Sequence, residues 1–217
     1  MNQLLSFFSE NGTELLVKIG EHLYISFAAL LLGIVVAVPL GIWLTNLPRT
    51  ANVVMAITGV IQTFPSLAIL AFFIPLLGIG KLPSIIALFC YSVLPILRNT
   101  YIGVKGVNRD LLEAARGMGM TRSERIFQVE LPLAMPVIMA GIRVSGVCLI
   151  GWATLASFIG GGGLGDFIFD GLNLFRTDLV LAGAIPVTLL AIFLDLFLTR
   201  VENKVTPKGI RKQREMV

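Results

Sequence analysis

Residues 23–44 read LYISFAALLLGIVVAVPLGIWL, an uninterrupted run without a charged side chain. A helix needs about 20 consecutive apolar residues to cross the hydrocarbon core of a bilayer. The run lacks the alternation of a membrane barrel strand, and open backbone cannot lie in lipid, which leaves a transmembrane helix. This stretch therefore predicts an all-α membrane protein.

Four further segments are apolar enough to span the membrane or nearly so. They are 53–77, which Pro65 and Pro75 are expected to break, 82–97, a stretch within 133–159, and 179–198. The composition agrees, because 56% of the 217 residues are hydrophobic, only 14% are charged and the mean hydropathy is +0.88. Soluble domains carry about a quarter charged residues. We therefore expect a polytopic membrane helix bundle of about five spans.

Lysine and arginine are distributed unevenly among the connections. If the C-terminus is cytoplasmic, fourteen of the 17 basic residues lie inside or at the inner end of a span. Cytoplasmic loops of membrane proteins are enriched in these residues, which predicts an N-out, C-in topology. The chain then divides into an N-terminal external segment 1–22, a transmembrane domain 23–199 with an inside loop 98–132, and a basic cytoplasmic tail 200–217. Because acidic residues precede the first span, we expect no cleavable signal.

Residues that carry enzyme or metal chemistry are few. Cys90 and Cys148 lie inside apolar runs, and the single histidine, His22, is expected at the interface before the first span. A disulfide framework, a metal site and a catalytic site are therefore not expected. An intramembrane protease or lipid-modifying transferase would need paired acids, or a His/Cys or Ser/His pair, at membrane depth. The sequence disfavours that class.

The inside loop 98–132 is too polar to span the membrane and rich in helix-forming residues. Its stretch 111–118 is typical of a short amphipathic helix, which Gly117 and Gly119 interrupt. The sequence TRSE at 121–124 has the form of a capping box and predicts a second short helix. A helix–turn–helix on the cytoplasmic face would offer a rigid element for a soluble partner.

The spacing within this loop resembles the EAA loop of bacterial ABC importer permeases. The matching residues are Glu113, Ala114, Ala115, Gly119, Val129, Leu131 and Pro132. The family usually has Ile where Val129 stands. The resemblance implies a type I ABC importer permease fold whose loop docks in a cleft of a separate cytoplasmic ATPase.

The residue types suit that role. Alanines let two backbones approach, Glu113 supplies a charge, and Gly119 permits a turn that a side chain would obstruct. A solvated juxtamembrane helix on anionic lipid is the alternative, but it does not require this spacing. ATP and Mg would bind the partner, because the glycine run 160–165 lacks the Lys of a phosphate loop and lies outside. We therefore expect this chain to bind no cofactor and to perform no catalysis.

Segments 61–68, 94–100 and 156–165 are similar to the branch of these permeases that imports glycine betaine, carnitine and choline. The resemblance implies a bacterial cytoplasmic membrane location, an external substrate-binding (lipo)protein and a second permease subunit, identical or related. Membrane lipids are expected partners, and nucleic acid is not. A permease for methionine or another amino acid shares the loop and stays an alternative. A membrane scaffold without transport would have no ATPase partner.

Two further sets of residues are candidates for function. Aromatic faces attract trimethylammonium groups, so a pathway is expected near certain aromatic residues and a proline break. The pathway candidates are Phe64, Pro65, Tyr91, Trp152 and Phe158. Each aromatic residue could equally serve bundle packing. Arg143 and Asp195 lie within or near membrane depth, and we expect them to form an ion pair near the inner interface.

Overall fold

The computed structural model describes residues 12–207, which form helices joined by short turns. The helices are α1 (Gly12–Leu44), α2 (Pro48–Thr63), α3 (Ser66–Leu77), α4 (Lys81–Lys105), α5 (Arg109–Gly117), α6 (Arg122–Arg125), α7 (Leu131–Trp152), α8 (Gly165–Asn173) and α9 (Thr177–Val205). A π turn, Ile126–Glu130, joins α6 to α7, and a 3-10 turn, Ala153–Ile159, follows α7.

Four helical stretches in the described range are long and apolar enough to cross a membrane. They are α1, α4, the unbroken stretch Arg122–Ile159 and α9. Helices α2 and α3 qualify together as a broken span, because they meet at a bend of 98°. The predicted all-α bundle of about five spans is confirmed.

The first helix begins earlier than the apolar run that predicted it. Helix α1 already starts at Gly12, so the described part of the predicted external segment 1–22 is helical. Polar residues can continue this helix because Lys18 and Glu21 find ion-pair partners on other elements. His22, which was expected at the membrane interface, has a fully buried side chain whose Nε2 donates a hydrogen bond to the Ile150 carbonyl oxygen at 2.9 Å.

The two prolines of the second span behave differently. Phe64 and Pro65 separate α2 from α3, and Phe64 is extended with ψ of 141°, as expected for a residue before proline. The prediction that Pro75 also breaks the span is wrong, because α3 continues to Leu77. A proline inside a helix removes one backbone hydrogen bond, but only Leu76 and Leu77 follow Pro75 in α3, so little helix lies beyond the lost bond.

Helices α1, α4 and α7 form the centre of the bundle. Their large buried side chains include Ile25, Leu88, Ile96 and Leu149. Small residues let these helices approach closely, as is usual in membrane bundles. At Gly141 of α7, an added Cβ would lie 2.6 Å from the Asn99 Cβ of α4.

The connectivity gives the bundle two functionally distinct ends. The end of α4 and the beginning of α7 are joined by residues 106–130, which we call the connecting segment. At the opposite end, α4 begins and the 3-10 turn finishes, and there Gly80 N–H donates to the Ile159 carbonyl oxygen at 2.7 Å. We call this the glycine end, after the glycine run 160–163 that follows.

Candidate functional site

The first helix of the connecting segment, α5, is a small polar helix. The Asn108 side chain caps its start by accepting a hydrogen bond from Asp110 N–H at 2.8 Å. Glu113 and Ala114 are exposed, whereas Ala115 is only 1% exposed. A surface cavity of 300 Å³ lies on the exposed side, lined by Arg109, Leu112, Glu113 and Arg116. The helix thus offers charged side chains of both signs around one depression.

The turn after α5 depends on the backbone of Gly119. Its φ is +79°, in the left-handed region, and Met120 N–H donates to the Ala115 carbonyl oxygen at 3.2 Å. An added Cβ at Gly119 would meet no atom within 4 Å. The expectation that a side chain would obstruct the turn is therefore wrong. Glycine suits this position because the left-handed conformation strains residues that have a Cβ.

The second helix of the connecting segment begins at the predicted capping box. Thr121 N–H donates to the Glu124 carboxylate at 2.7 Å, and Glu124 N–H donates to the Thr121 hydroxyl at 3.4 Å. The helix then passes without a gap through the π turn, which holds Val129, into α7, which begins with Leu131 and Pro132. The seven EAA-like residues therefore occupy one α5–turn–α6–π segment and the start of the adjoining span.

Three of the five pathway candidates meet at the break in the second span. The Tyr91 hydroxyl donates to the Phe64 carbonyl oxygen at 2.8 Å, and the ring centroids of Tyr91 and Trp152 lie 4.8 Å apart. Pro65 adjoins this contact in the chain. Tyr91 is buried, but the Phe64 side chain is 53% exposed. The ring of Phe158 instead packs edge-on against the ring of Phe169, with the two centroids 4.1 Å apart.

An apolar cavity opens beside the break. It has a volume of 390 Å³ and is lined by Ile61, Phe64, Ala68, Ile69, Phe72, Phe73 and Cys90. The rings of Phe72 and Phe73 stand edge-to-face, with centroids 5.5 Å apart. The two phenylalanines of α3 were not among the sequence-predicted candidates, because nothing in an apolar helix distinguishes them from lipid-facing residues.

Arg143 and Asp195 approach each other between α7 and α9. The Arg143 Nε lies 3.3 Å from Asp195 Oδ1, and its Nη1 donates to the Thr199 hydroxyl at 3.0 Å. Glu202 is a third contact, with Oε2 at 3.7 Å from the same nitrogen. Sequence reasoning missed Thr199 and Glu202. Their spacing of four and seven residues from Asp195, which places all three on one helical face, was the available signal.

A polar network at the glycine end was also missed. Glu21 accepts from Lys81 Nζ at 2.9 Å and from Gly163 N–H at 3.1 Å. Asp166 forms an ion pair with Lys18 and accepts from the Ser157 hydroxyl. These contacts connect α1, α4, the 3-10 turn, the glycine run and α8. Because the partners are far apart in sequence, no local motif could have predicted them.

Comparison with known families decides the identity of this bundle. Residues 29–207 match the family model described as the binding-protein-dependent transport system inner membrane component. The chain belongs to this family. It is therefore a multi-pass membrane component of a transport system, and the expectation of a transport permease is confirmed.

Curated members of the family resemble this chain along its whole length. It is 62% identical over 216 residues to the glycine betaine/carnitine/choline transport system permease protein OpuCB of Bacillus subtilis, covering 100% of both chains. It is 59% identical to the choline transport system permease protein OpuBB of the same organism, again covering 100% of both. It is 60% identical to the carnitine transport permease protein OpuCB of Listeria monocytogenes, covering 99% of both.

The fold also matches a solved transporter. A chain of the MetNI methionine ABC transporter, in an inward-facing conformation, superposes with a TM-score of 0.81 over 89% of this chain and 96% of that chain. The sequences are 22% identical, so this likeness concerns the fold alone. The expected type I ABC importer permease fold is confirmed.

Proposed function

We propose that this chain is a permease subunit of an ATP-driven importer for osmoprotectants that carry a quaternary ammonium group, such as glycine betaine, carnitine and choline. The observation that carries the proposal is the 59–62% identity, along essentially the full length, to permeases named for these substrates. The earlier alternative, methionine, rested on a loop that all such permeases share, and the 22% likeness to MetNI adds only the fold.

In this proposal the chain lies in a bacterial cytoplasmic membrane with its N-terminus outside and its C-terminus inside. Residues 1–22 begin on the external side, residues 23–199 form the transmembrane domain, and residues 200–217 form the cytoplasmic tail. Topology reporters test this orientation. A reporter fused after Lys81 should be external and one fused after Arg125 cytoplasmic, because basic connections stay inside. The reverse result at both sites would overturn the orientation.

The connecting segment is the docking element for a cytoplasmic ATPase. Its α5 helix exposes Glu113 beside Arg109 and Arg116, around a depression of 300 Å³ that a partner's side chains can enter. The unbroken helix Arg122–Ile159 then links the docking site to the glycine end. In this proposal ATP and Mg bind to the ATPase. Movement of the partner is transmitted as movement of this helix.

The translocation pathway needs a second permease subunit, identical or related. Large apolar side chains of α2 and α3 are exposed on the single chain, among them Val53, Ile57 and Phe72. A second subunit that covers this face would enclose the bend between the two helices. Phe64, whose ring is half exposed at the bend, could then contact a trimethylammonium group through its aromatic face. Tyr91 has its hydroxyl committed to the Phe64 carbonyl oxygen and acts as support.

The external binding protein delivers substrate at the glycine end, which is the external face in this orientation. There the Glu21 and Asp166 network holds the glycine run against α1 and α4. A rigid external face suits docking because little ordering is needed when the partner binds.

The deciding experiment measures uptake of labelled compounds by cells that lack other osmoprotectant importers and express this chain with its candidate ATPase and binding protein. We expect saturable accumulation of at least one of glycine betaine, carnitine and choline, and no accumulation of methionine. Omission of the ATPase is the control and should abolish uptake. Accumulation of methionine alone would overturn the substrate class. Failure of the ATPase to co-purify with the permease would overturn the importer assignment itself.

A further inference from the structure

We propose that the π turn Ile126–Glu130 is a register element that sets the rotational position of the ATPase-docking site relative to the span α7. Arg125, Glu130 and Pro132 are the positioning residues that maintain it. This inference rests on the docking role of the connecting segment proposed above. It concerns a different feature, namely the geometry by which that segment joins the membrane helix.

The backbone of this turn has a specific cause in the sequence. Leu131 N–H donates to the carbonyl oxygen of Ile126, five residues earlier, which is the π pattern. The next residue, Pro132, has no N–H, and in an α-helix its ring would clash with the Gln128 carbonyl. A wider turn just before Pro132 relieves that conflict while the helix stays continuous. Single π turns inside α-helices occur frequently at functional sites.

The ion pair between Arg125 and Glu130 suits the π register and does not suit the α register. Arg125 Nε donates to Glu130 Oε1 at 3.0 Å, and the two side chains are 16% and 13% exposed. These residues are five apart. In an α-helix, five residues advance the chain by five steps of about 100°, which leaves the side chains about 140° apart around the axis. In a π turn, residues five apart lie on the same side of the helix, so the pair stabilises this register selectively.

The register matters because the docking helix α5 packs against a helix that continues into the span without a break. Helix α6, the π turn and α7 form one continuous helix from Arg122 onward, and α5 packs against both α6 and the π turn. Conversion of the π turn to an α turn would shift the register by one residue. It would rotate α5, with Glu113, by about 100° around the helix axis relative to α7. An ATPase bound to the rotated site could not drive α7 in the same direction.

Deletion of Gln128 tests the inference, because loss of one residue from a π turn leaves an α turn. Gln128 is exposed, so the deletion removes little packing. The control is Gln128→Ala, which keeps the residue count and should transport like wild type. With the complete transporter in proteoliposomes, we expect the deletion to lower the amount of substrate moved per ATP hydrolysed by about tenfold or more, with the ATPase still bound. Coupling between two sites of a protein is typically worth about 5–150-fold, and its loss should produce an effect in this range.

Exchange of the two charges provides a second test that does not depend on the deletion mutant being stable. Arg125→Glu and Glu130→Arg alone place like charges together and should each lower transport per ATP by about fivefold or more, as expected for loss of one partly buried charged hydrogen bond. The double exchange restores the pair and should recover most of the coupling ratio. General destabilisation would lower abundance in the single mutants, but it would leave the coupling ratio of the protein that remains unchanged.

The outcomes separate the two proposals. Wild-type coupling in the deletion mutant at normal abundance would overturn the register role. If the deletion mutant does not accumulate in the membrane, the charge exchange decides: single mutants with wild-type coupling, or a double mutant no better than either, would overturn it. A wild-type connecting segment that does not bind the ATPase at all would instead overturn the proposed docking function.

Discussion

Replacement of Gly119 by valine should impair coupling through backbone strain alone. The residue has φ of +79°, and an added Cβ meets no atom within 4 Å, so the whole cost is conformational. The left-handed conformation costs a residue with a Cβ about 1–2 kcal/mol, and a β-branched residue lies at the upper end. That free energy changes a two-state population by a factor of about 5–30. Uptake should fall by a similar factor if only the native turn couples to the ATPase.

The chain offers a matched control two residues earlier. Gly117 is also free of atoms within 4 Å of an added Cβ, but its φ is not positive. Gly117→Val introduces the same side chain without the left-handed strain and should transport nearly as well as wild type. Gly119→Asn should keep most of the activity, because asparagine tolerates the left-handed region better than other residues with a Cβ.

The assay combines membrane abundance by immunoblot, ATPase co-purification and the initial rate of osmoprotectant uptake. We expect all variants to reach normal levels, since the substitutions lie outside the packed spans. Uptake should rank Gly117→Val above Gly119→Asn and Gly119→Asn above Gly119→Val. Equal uptake in Gly117→Val and Gly119→Val would refute the argument, because the two differ chiefly in backbone conformation.

Three other perturbations give distinct expectations. Tyr91→Phe removes the hydrogen bond to the Phe64 carbonyl oxygen and should lower the free energy of unfolding by about 1 kcal/mol, measured as thermal stability in detergent; an unchanged midpoint would contradict this. Arg143→Gln should reduce membrane abundance more than Asp195→Asn, because the arginine has three acceptors and the aspartate change leaves two of them; the opposite ranking on immunoblots would disprove it. Glu21→Gln keeps an acceptor for the glycine run but loses two lysine ion pairs, so thermal stability should fall by about 1 kcal/mol or less, and full stability would show that the pairs are screened.

Local features of the connecting segment could be predicted from the sequence. The capping box at Thr121 and Glu124 is a motif of four consecutive residues, and the structure contains both of its hydrogen bonds. The break at Pro65 follows from the restriction that proline imposes on the residue before it. In both cases the interacting groups are neighbours in the chain, so the local sequence is enough to predict the local structure.

Features that join distant segments could not be predicted in the same way. Lys18 pairs with Asp166, 148 residues away, and Arg143 reaches Glu202 across the interface between α7 and α9. The burial of His22 has the same origin, because the Ile150 carbonyl oxygen that accepts its hydrogen bond belongs to another helix. A sequence contains the side chains for such contacts but not the packing that selects among possible partners.

The sequence by itself determined that the chain is a membrane helix bundle with about five spans and an EAA-like segment, because hydropathy, helix caps and motif spacing are properties of consecutive residues. Only the tertiary structure decided that the second span bends by 98° with Tyr91 supporting the bend. It also decided that Arg143 contacts Glu202 in addition to Asp195. It also decided the π register before Pro132. Those features depend on how helices far apart in the chain pack together, and on how one continuous helix resolves competing backbone constraints.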